Sequence, residues 1–201
     1  MSRPDRNRDC RTLIAGIGNI FLGDDSFGVE LAALLGREEL PEGVQVADYG
    51  IAGMHLAYDL LEIAPETTIL LDAIPRGDDP GTLYLLEIGR DDIPAADEAN
   101  VEAHGMQPDA VLALLRNLGG SPGRIMLVGC EPATTEEHMG LSEPVAAALD
   151  RAVVMVKDLL EDNGKDGGGH VAPEAVSAGI DRAGVPGGTD ARGDRAVSQD
   201  R

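Results

Sequence analysis

Five carboxylates stand at or just after stretches that read as strands, and they are the residues of this chain best placed to do chemistry. Asp24 and Asp25 close a glycine-rich turn, Asp48 follows Val44–Ala47, Asp72 follows Thr67–Leu71, and Glu131 follows Arg124–Cys130. In an open α/β sheet such positions share the carboxyl edge, where ligands bind. Singly, each has an ordinary explanation: Asp24 or Asp25 as the N-cap of a helix, Asp48 as a turn residue, Asp72 as a turn or helix cap. Together they repel one another unless a cation or a positively charged substrate joins them. His104 and His138 fall in loops on the same edge, whereas His55 opens a helix and His170 sits in the C-terminal tail. Two carboxylates with one imidazole suit Ni, Zn, Mn or Fe(II) better than Cu(I). The sequence has no HExxH, no GxSxG and no Ser or Cys nucleophile signature, so zincin and serine-hydrolase chemistry lack support.

The elements that must position these groups alternate between strand and helix. Leu13-Ile14-Ala15 reads as a buried strand, Gly16-Ile17-Gly18-Asn19 as the turn after it, and Ser26–Leu35 as a helix with apolar residues at helical spacing. The turn resembles a dinucleotide fingerprint only in outline. Phe21 occupies the place of the third glycine, and Asp24-Asp25 would repel a pyrophosphate. Further helices are expected at Met54–Ile63, Asp109–Leu118 and Ser142–Glu161, the last with Ser142 as N-cap; a further strand is expected at Thr82–Ile88. The fold class that follows is α/β, a three-layer αβα arrangement around a doubly wound, mostly parallel sheet of about five strands.

With 201 residues, the expected organisation is a loose N-terminus over residues 1–10, one domain over 11–163 and a disordered tail over 164–201. That tail is rich in Gly, Asp, Ala, Pro and Ser. It cannot offset an ordering cost of about 1–2 kcal/mol per residue. The net charge of −20 argues against nucleic acid as a partner and gives a solvated acidic surface. Cys10 and Cys130 lie far apart with no metal-type spacing, and reduced cytoplasmic thiols are expected. The arginine-rich start is followed by Gly16, Gly18 and Asp24-Asp25 rather than by a cleavable apolar segment, and neither a signal peptide nor a membrane span is expected.

Six blocks carry a resemblance. They are GIGNIFLGDDSFGV at Gly16–Val29, DYGIAGM at Asp48–Met54, LLDAI at Leu70–Ile74, PGT at Pro80–Thr82, AHGM at Ala103–Met106, and LVGCEP at Leu127–Pro132 followed by HMGLS at His138–Ser142. In this order they resemble the hydrogenase maturation proteases, peptidases that trim nickel-iron hydrogenase large subunits, over about residues 12–160. The resemblance implies a site of Asp25, Asp72 and His104 that recognises nickel already inserted in a large-subunit precursor, after which the precursor's C-terminal extension is removed. Zn(II) or Cd(II) would substitute in the isolated protein. Asp25, Asp72 and metal-bound water are all open as the group that activates the attacking water. Gly18, Asn19, Asp48, Gly50, Gly53 and His138 are implied to bind the substrate peptide. Asp24 and Asp48 would tune the charge, and Gly16, Gly18, Gly50 and Gly53 would allow tight loops against an extended chain. A non-catalytic nickel-checking or docking module of the same fold is the alternative.

Overall fold

A computed structural model of the chain describes residues 10–89, 108–121 and 123–165. The expected loose N-terminus up to residue 9, the segment containing His104, and the tail beyond 165 lie outside the described residues. Strands β1 (Thr12–Ile17), β2 (Val44–Gly50), β3 (Thr67–Ala73), β4 (Leu83–Ile88) and β5 (Arg124–Cys130) form one sheet in the order β2-β1-β3-β5-β4. The first three pairings are parallel, and β4 alone runs antiparallel, along β5. Helices α1 (Phe27–Leu35), α2 (Gly53–Ile63), α3 (Pro108–Asn117) and α4 (Glu143–Lys165) complete the fold. The expected α/β class, strand number and mostly parallel sheet are all present.

The two faces of the sheet are read directly from alternate residues of its strands. Ile14, Ile69, Leu71, Met126 and Val128 point to one core with Phe27, Leu31 and Leu35 of α1 and Val145, Ala152 and Val156 of α4. Leu13, Ala15, Ile17, Leu70, Ile125 and Leu127 point to the other, with Leu56 and Leu60 of α2 and Val111, Leu112 and Leu115 of α3. Burial on both faces explains why these strands are continuously apolar rather than alternating. Helix α4 ends four residues beyond the expected Glu161, at Lys165. Among the described residues no helix is long and apolar enough to cross a membrane.

The strand order fixes where a ligand can sit. From β1 the chain passes by α1 to β2 on one side, and β3 flanks β1 on the other. The strand order reverses between β1 and β3, which opens a crevice beyond their carboxyl ends. Glycines bring α1 down onto this point. A Cβ on Gly28 would collide with the carbonyl oxygens of Ile17 and Leu71, and one on Gly16 would lie 2.7 Å from Ala32 Cβ. Gly16 is therefore a strand residue that admits the helix, not the loop residue expected from the sequence.

In an ordinary helix, glycine to alanine is stabilising by about 0.5–1 kcal/mol. At Gly28 the sign should reverse, because the new methyl meets fixed backbone on β1 and β3. Gly28→Ala should lower the unfolding free energy by about 2 kcal/mol in urea titration; a neutral or stabilising effect would show that α1 does not sit this close.

Candidate functional site

The acidic turn after β1 is a tight 3-10 turn, Gly23–Ser26, that packs against β3. It separates its two aspartates completely. Asp24 is fully buried, while Asp25 is half-buried at the open end of the crevice. The Asp24 Oδ2 accepts hydrogen bonds from the backbone N–H of Ala133 at 2.8 Å and of Thr134 at 3.1 Å, and from Ser142 Oγ at 2.9 Å. Its Oδ1 accepts from the Ser142 N–H at 2.6 Å. Burial raises its pKa, yet these donors from Ser142, Ala133 and Thr134 outweigh it and hold the carboxyl below its ordinary value. Asp24 is thus a clamp between the first turn and the loop that follows β5. Beside the charge-tuning role expected from the sequence, the structure gives Asp24 a structural one through these four donors.

Backbone pairing continues the same seam. Gly23 N–H donates to His138 O at 2.7 Å, Asp24 N–H to Thr134 O at 3.0 Å, and His138 N–H to Phe21 O at 3.0 Å. Ser142, expected to cap α4, gives its hydroxyl to Asp24 instead.

Asp25 points the other way. Its Oδ2 accepts the Asn19 N–H at 2.7 Å, and Asn19 Oδ1 in turn accepts the Phe21 N–H at 3.0 Å. Asp72, at the end of β3 in register with Gly129 of β5, faces Asp25 closely enough to feel its charge. Desolvation first and the Asp25 charge second push the Asp72 pKa up to about 8, against a smaller opposing effect from the Ala73 N–H. Asp72 is therefore largely protonated at neutral pH. The two carboxylates singled out in the sequence are brought together across the crevice, and His104, the third, lies outside the described residues. Among the described residues no group of three His, Cys, Asp or Glu side chains forms a metal site. The donor set that is present, two facing carboxyl groups, fits a borderline divalent cation completed by an imidazole.

The remaining expected site residues surround this pair. Gly18 has φ 137° and Gly50 φ 49°, both in the left-handed region, and Gly18 N–H donates to Gly50 O at 3.1 Å. A Cβ on Gly18 would strike the Asp25 carbonyl oxygen, so this glycine sets how near the strand end comes to the acidic turn. Asp48 is exposed and its Oδ1 accepts the Gly50 N–H at 2.8 Å, which shapes the turn after β2. Gly53 is the buried first residue of α2. His138 is exposed on the facing loop, its Nδ1 3.2 Å from Gly140 O, and it lines a surface hollow with Asn19, Phe21, Leu22, Glu137 and Met139.

A second clamp, not foreseen from the sequence, holds the connection from β3 to β4. The buried Glu131 accepts at Oε2 from Arg76 N–H at 2.7 Å and Tyr84 OH at 2.6 Å, and at Oε1 from Gly77 N–H at 3.1 Å. Burial raises its pKa, but the Tyr84 hydroxyl and the Arg76, Gly77 and Asp78 amides bring it below the ordinary value. The Arg76 guanidinium lies 5.4 Å from the Tyr84 ring centroid. No spacing rule links positions 76, 84 and 131; only the antiparallel return of β4 brings them together.

Two opposite pH responses follow. Asp24, with a lowered pKa, contributes stability above about pH 4, and that contribution disappears as pH falls through its folded value. Asp24→Ala should cost about 3 kcal/mol in urea unfolding at pH 7, and the gap from wild type should narrow below pH 4. Asp72, with a raised pKa, favours the fold most below about pH 4 and less as pH rises towards 8. Asp72→Asn should therefore raise the urea midpoint at pH 8 and flatten the stability profile between pH 4 and 8, whereas a lower midpoint at pH 8 would contradict the repulsion.

Comparison with known proteins identifies the family. Residues 29–159 match the family model described as hydrogenase maturation protease. The chain is 35% identical over 156 residues to the hydrogenase 2 maturation protease of Escherichia coli, covering 77% of this chain and 93% of that protein. It is 33% identical over 185 residues to the hydrogenase expression/formation protein HoxM of Azotobacter vinelandii, covering 87% of this chain and 86% of the other. The solved structure of the hydrogenase maturating endopeptidase HybD from E. coli superposes with a TM-score of 0.65 at 33% identity, covering 77% of this chain and 94% of that one. That of a [NiFe] hydrogenase maturation protease from Thermococcus kodakarensis superposes with a TM-score of 0.60 at 26% identity, covering 75% and 92%. With its acidic turn and opposing strand-end aspartate set in this fold, the chain belongs to the hydrogenase maturation protease family.

Proposed function

We propose that this peptidase removes a C-terminal extension from the large-subunit precursor of a nickel-iron hydrogenase after nickel insertion. In this reading the nickel arrives as part of the substrate and is met by Asp25, Asp72 and His104. The observation that carries it is the facing pair Asp25 and Asp72, where desolvation first and the Asp25 charge second raise the Asp72 pKa. A divalent cation there relieves the repulsion and releases the Asp72 proton, so the site is poised to prefer a substrate that brings its own positive charge. A precursor without nickel offers no such gain. The same coupling makes the site a discriminator as well as a place of cleavage.

The chain's own groups supply the remaining requirements of peptide hydrolysis. Asp25, Asp72 and metal-bound water stay the candidates for activating the attacking water, whereas the lone pairs of Asp24 are occupied by its four donors. Asp25, anchored by the Asn19 N–H, holds its position opposite. The edge loops at Gly18, Asn19, Asp48 and Gly50 line the approach for an extended chain, and His138 flanks it from the loop after β5. The cytoplasm is the expected compartment, where precursor and reduced thiols coexist.

Purified nickel-loaded and nickel-free precursor, each incubated with the protein, test this directly by a size shift on a gel. Cleavage is expected only with nickel, and Asp72→Ala or His104→Ala should abolish it while circular dichroism stays unchanged. Binding of the loaded precursor without cleavage would establish the docking-module alternative instead.

A further inference from the structure

Soluble proteins scatter their exposed apolar side chains, and a gathering of them marks a contact surface. In this chain they are gathered. Among the described residues, the four most exposed large hydrophobic side chains are Met139 at 68%, Ile51 at 63%, Phe21 at 60% and Met54 at 60%. All four stand on the carboxyl edge, in the loops after β1, β2 and β5 or at the start of α2. The hydrogen bonds already described make these loops neighbours: Gly18 joins Gly50, beside Ile51, and Phe21 pairs with His138, beside Met139. Phe21 and Met139 line the same surface hollow. None of the four contributes to either core.

The loops that carry them have charge of one sign. Residues 18–26, 48–55 and 131–142 include no lysine or arginine, yet they carry Asp25, Asp48, Glu136 and Glu137 with exposed or half-exposed carboxylates. An acidic partner is excluded by repulsion, and a second copy of a chain with net charge −20 is opposed for the same reason. The apolar surface asks for hydrophobic side chains on the partner, and the carboxylates ask for cationic ones.

Resting on the proposed function, we infer that Phe21, Ile51, Met54 and Met139 form a docking rim for the protein substrate. Its occupant is an apolar segment of the precursor flanked by lysine or arginine, held so that the segment to be cut lies across Asp25 and Asp72. The rim anchors by hydrophobic contact, and the surrounding carboxylates set orientation and the rate of encounter. Recognition is thereby divided: the acid pair senses the cation, and the rim senses the polypeptide.

Binding of purified precursor to immobilised protein, measured by biolayer interferometry, separates this inference from the cleavage reading because it needs no turnover. Phe21→Ser with Met139→Ser, and Ile51→Ser with Met54→Ser, should each weaken binding about tenfold or more, as loss of apolar anchors at an interface does. Glu136→Gln with Glu137→Gln should slow association and reduce its dependence on salt. Val154→Ser, an equally exposed apolar site on α4, should leave binding unchanged and serves as the control. Unchanged affinity in both rim variants overturns the inference even if cleavage proceeds as proposed. So does a wild-type dimer in sedimentation equilibrium that the rim variants convert to monomer, since the rim would then be covered by a second copy. Weakened binding in the rim variants sustains the inference even if the wild-type protein proves unable to cut.

Discussion

The buried Asp24 carboxylate is the interaction on which the site's shape depends. A fully buried charge is tolerated only when its lone pairs are filled, and here four donors from the loop after β5 fill them. The consequence is mechanical. The turn after the first strand and the loop after the last are locked into one unit, although they lie more than a hundred residues apart in sequence. Asp25 follows Asp24 directly, and its direction is fixed by that lock and by the Asn19 amide. Glu131 does the same for the β3–β4 connection with different partners. Two fully hydrogen-bonded acids therefore build the frame in which Asp25 and Asp72, each accepting one backbone N–H, face each other.

That contrast separates structure from function within one cluster of like charges. Asp24 and Glu131 have pKa values held low by donors, and they stabilise the fold at neutral pH. Asp72 has its pKa driven high by desolvation and by Asp25, and it weakens the fold as pH rises. Protein folds retain such a liability where binding relieves it. Gly28 seats α1 against the Ile17 and Leu71 carbonyls, and Gly18 brings the end of β1 against the Asp25 backbone, so glycine packing sets the frame around the opposing aspartates.

Much of this was legible in the sequence, and the reason is periodicity. Continuous apolar strands such as Thr67–Leu71 and amphipathic runs such as Met54–Ile63 announce a doubly wound sheet, and that topology places strand-end residues on one edge. Asp25 and Asp72 stand on that edge among five carboxylates, and the family resemblance singles them out. What the sequence conceals is how neighbouring acids divide their labour. Asp24 and Asp25 are adjacent and chemically identical, and only the docking of residues 133–142 makes one a clamp and leaves the other free. Likewise nothing in the spacing of Arg76, Tyr84 and Glu131 signals their contact. Gly16 reads as a loop residue in the sequence because a strand glycine and a turn glycine look alike without the helix above it. Ser142 looked like a cap because serine before a helix usually is one.

Burial and the Asp25 charge favour a proton on Asp72, and a cation that joins the pair across the crevice takes that proton's place. The most direct test is the carbon-13 carboxyl shift of Asp72 followed by NMR between pH 3 and 10, without metal and with saturating Zn(II). The account predicts a midpoint near 8 in the metal-free protein, and with metal a midpoint several units lower, because the bound cation favours the carboxylate. A midpoint near 4 in the metal-free protein, unmoved by Zn(II), would contradict it.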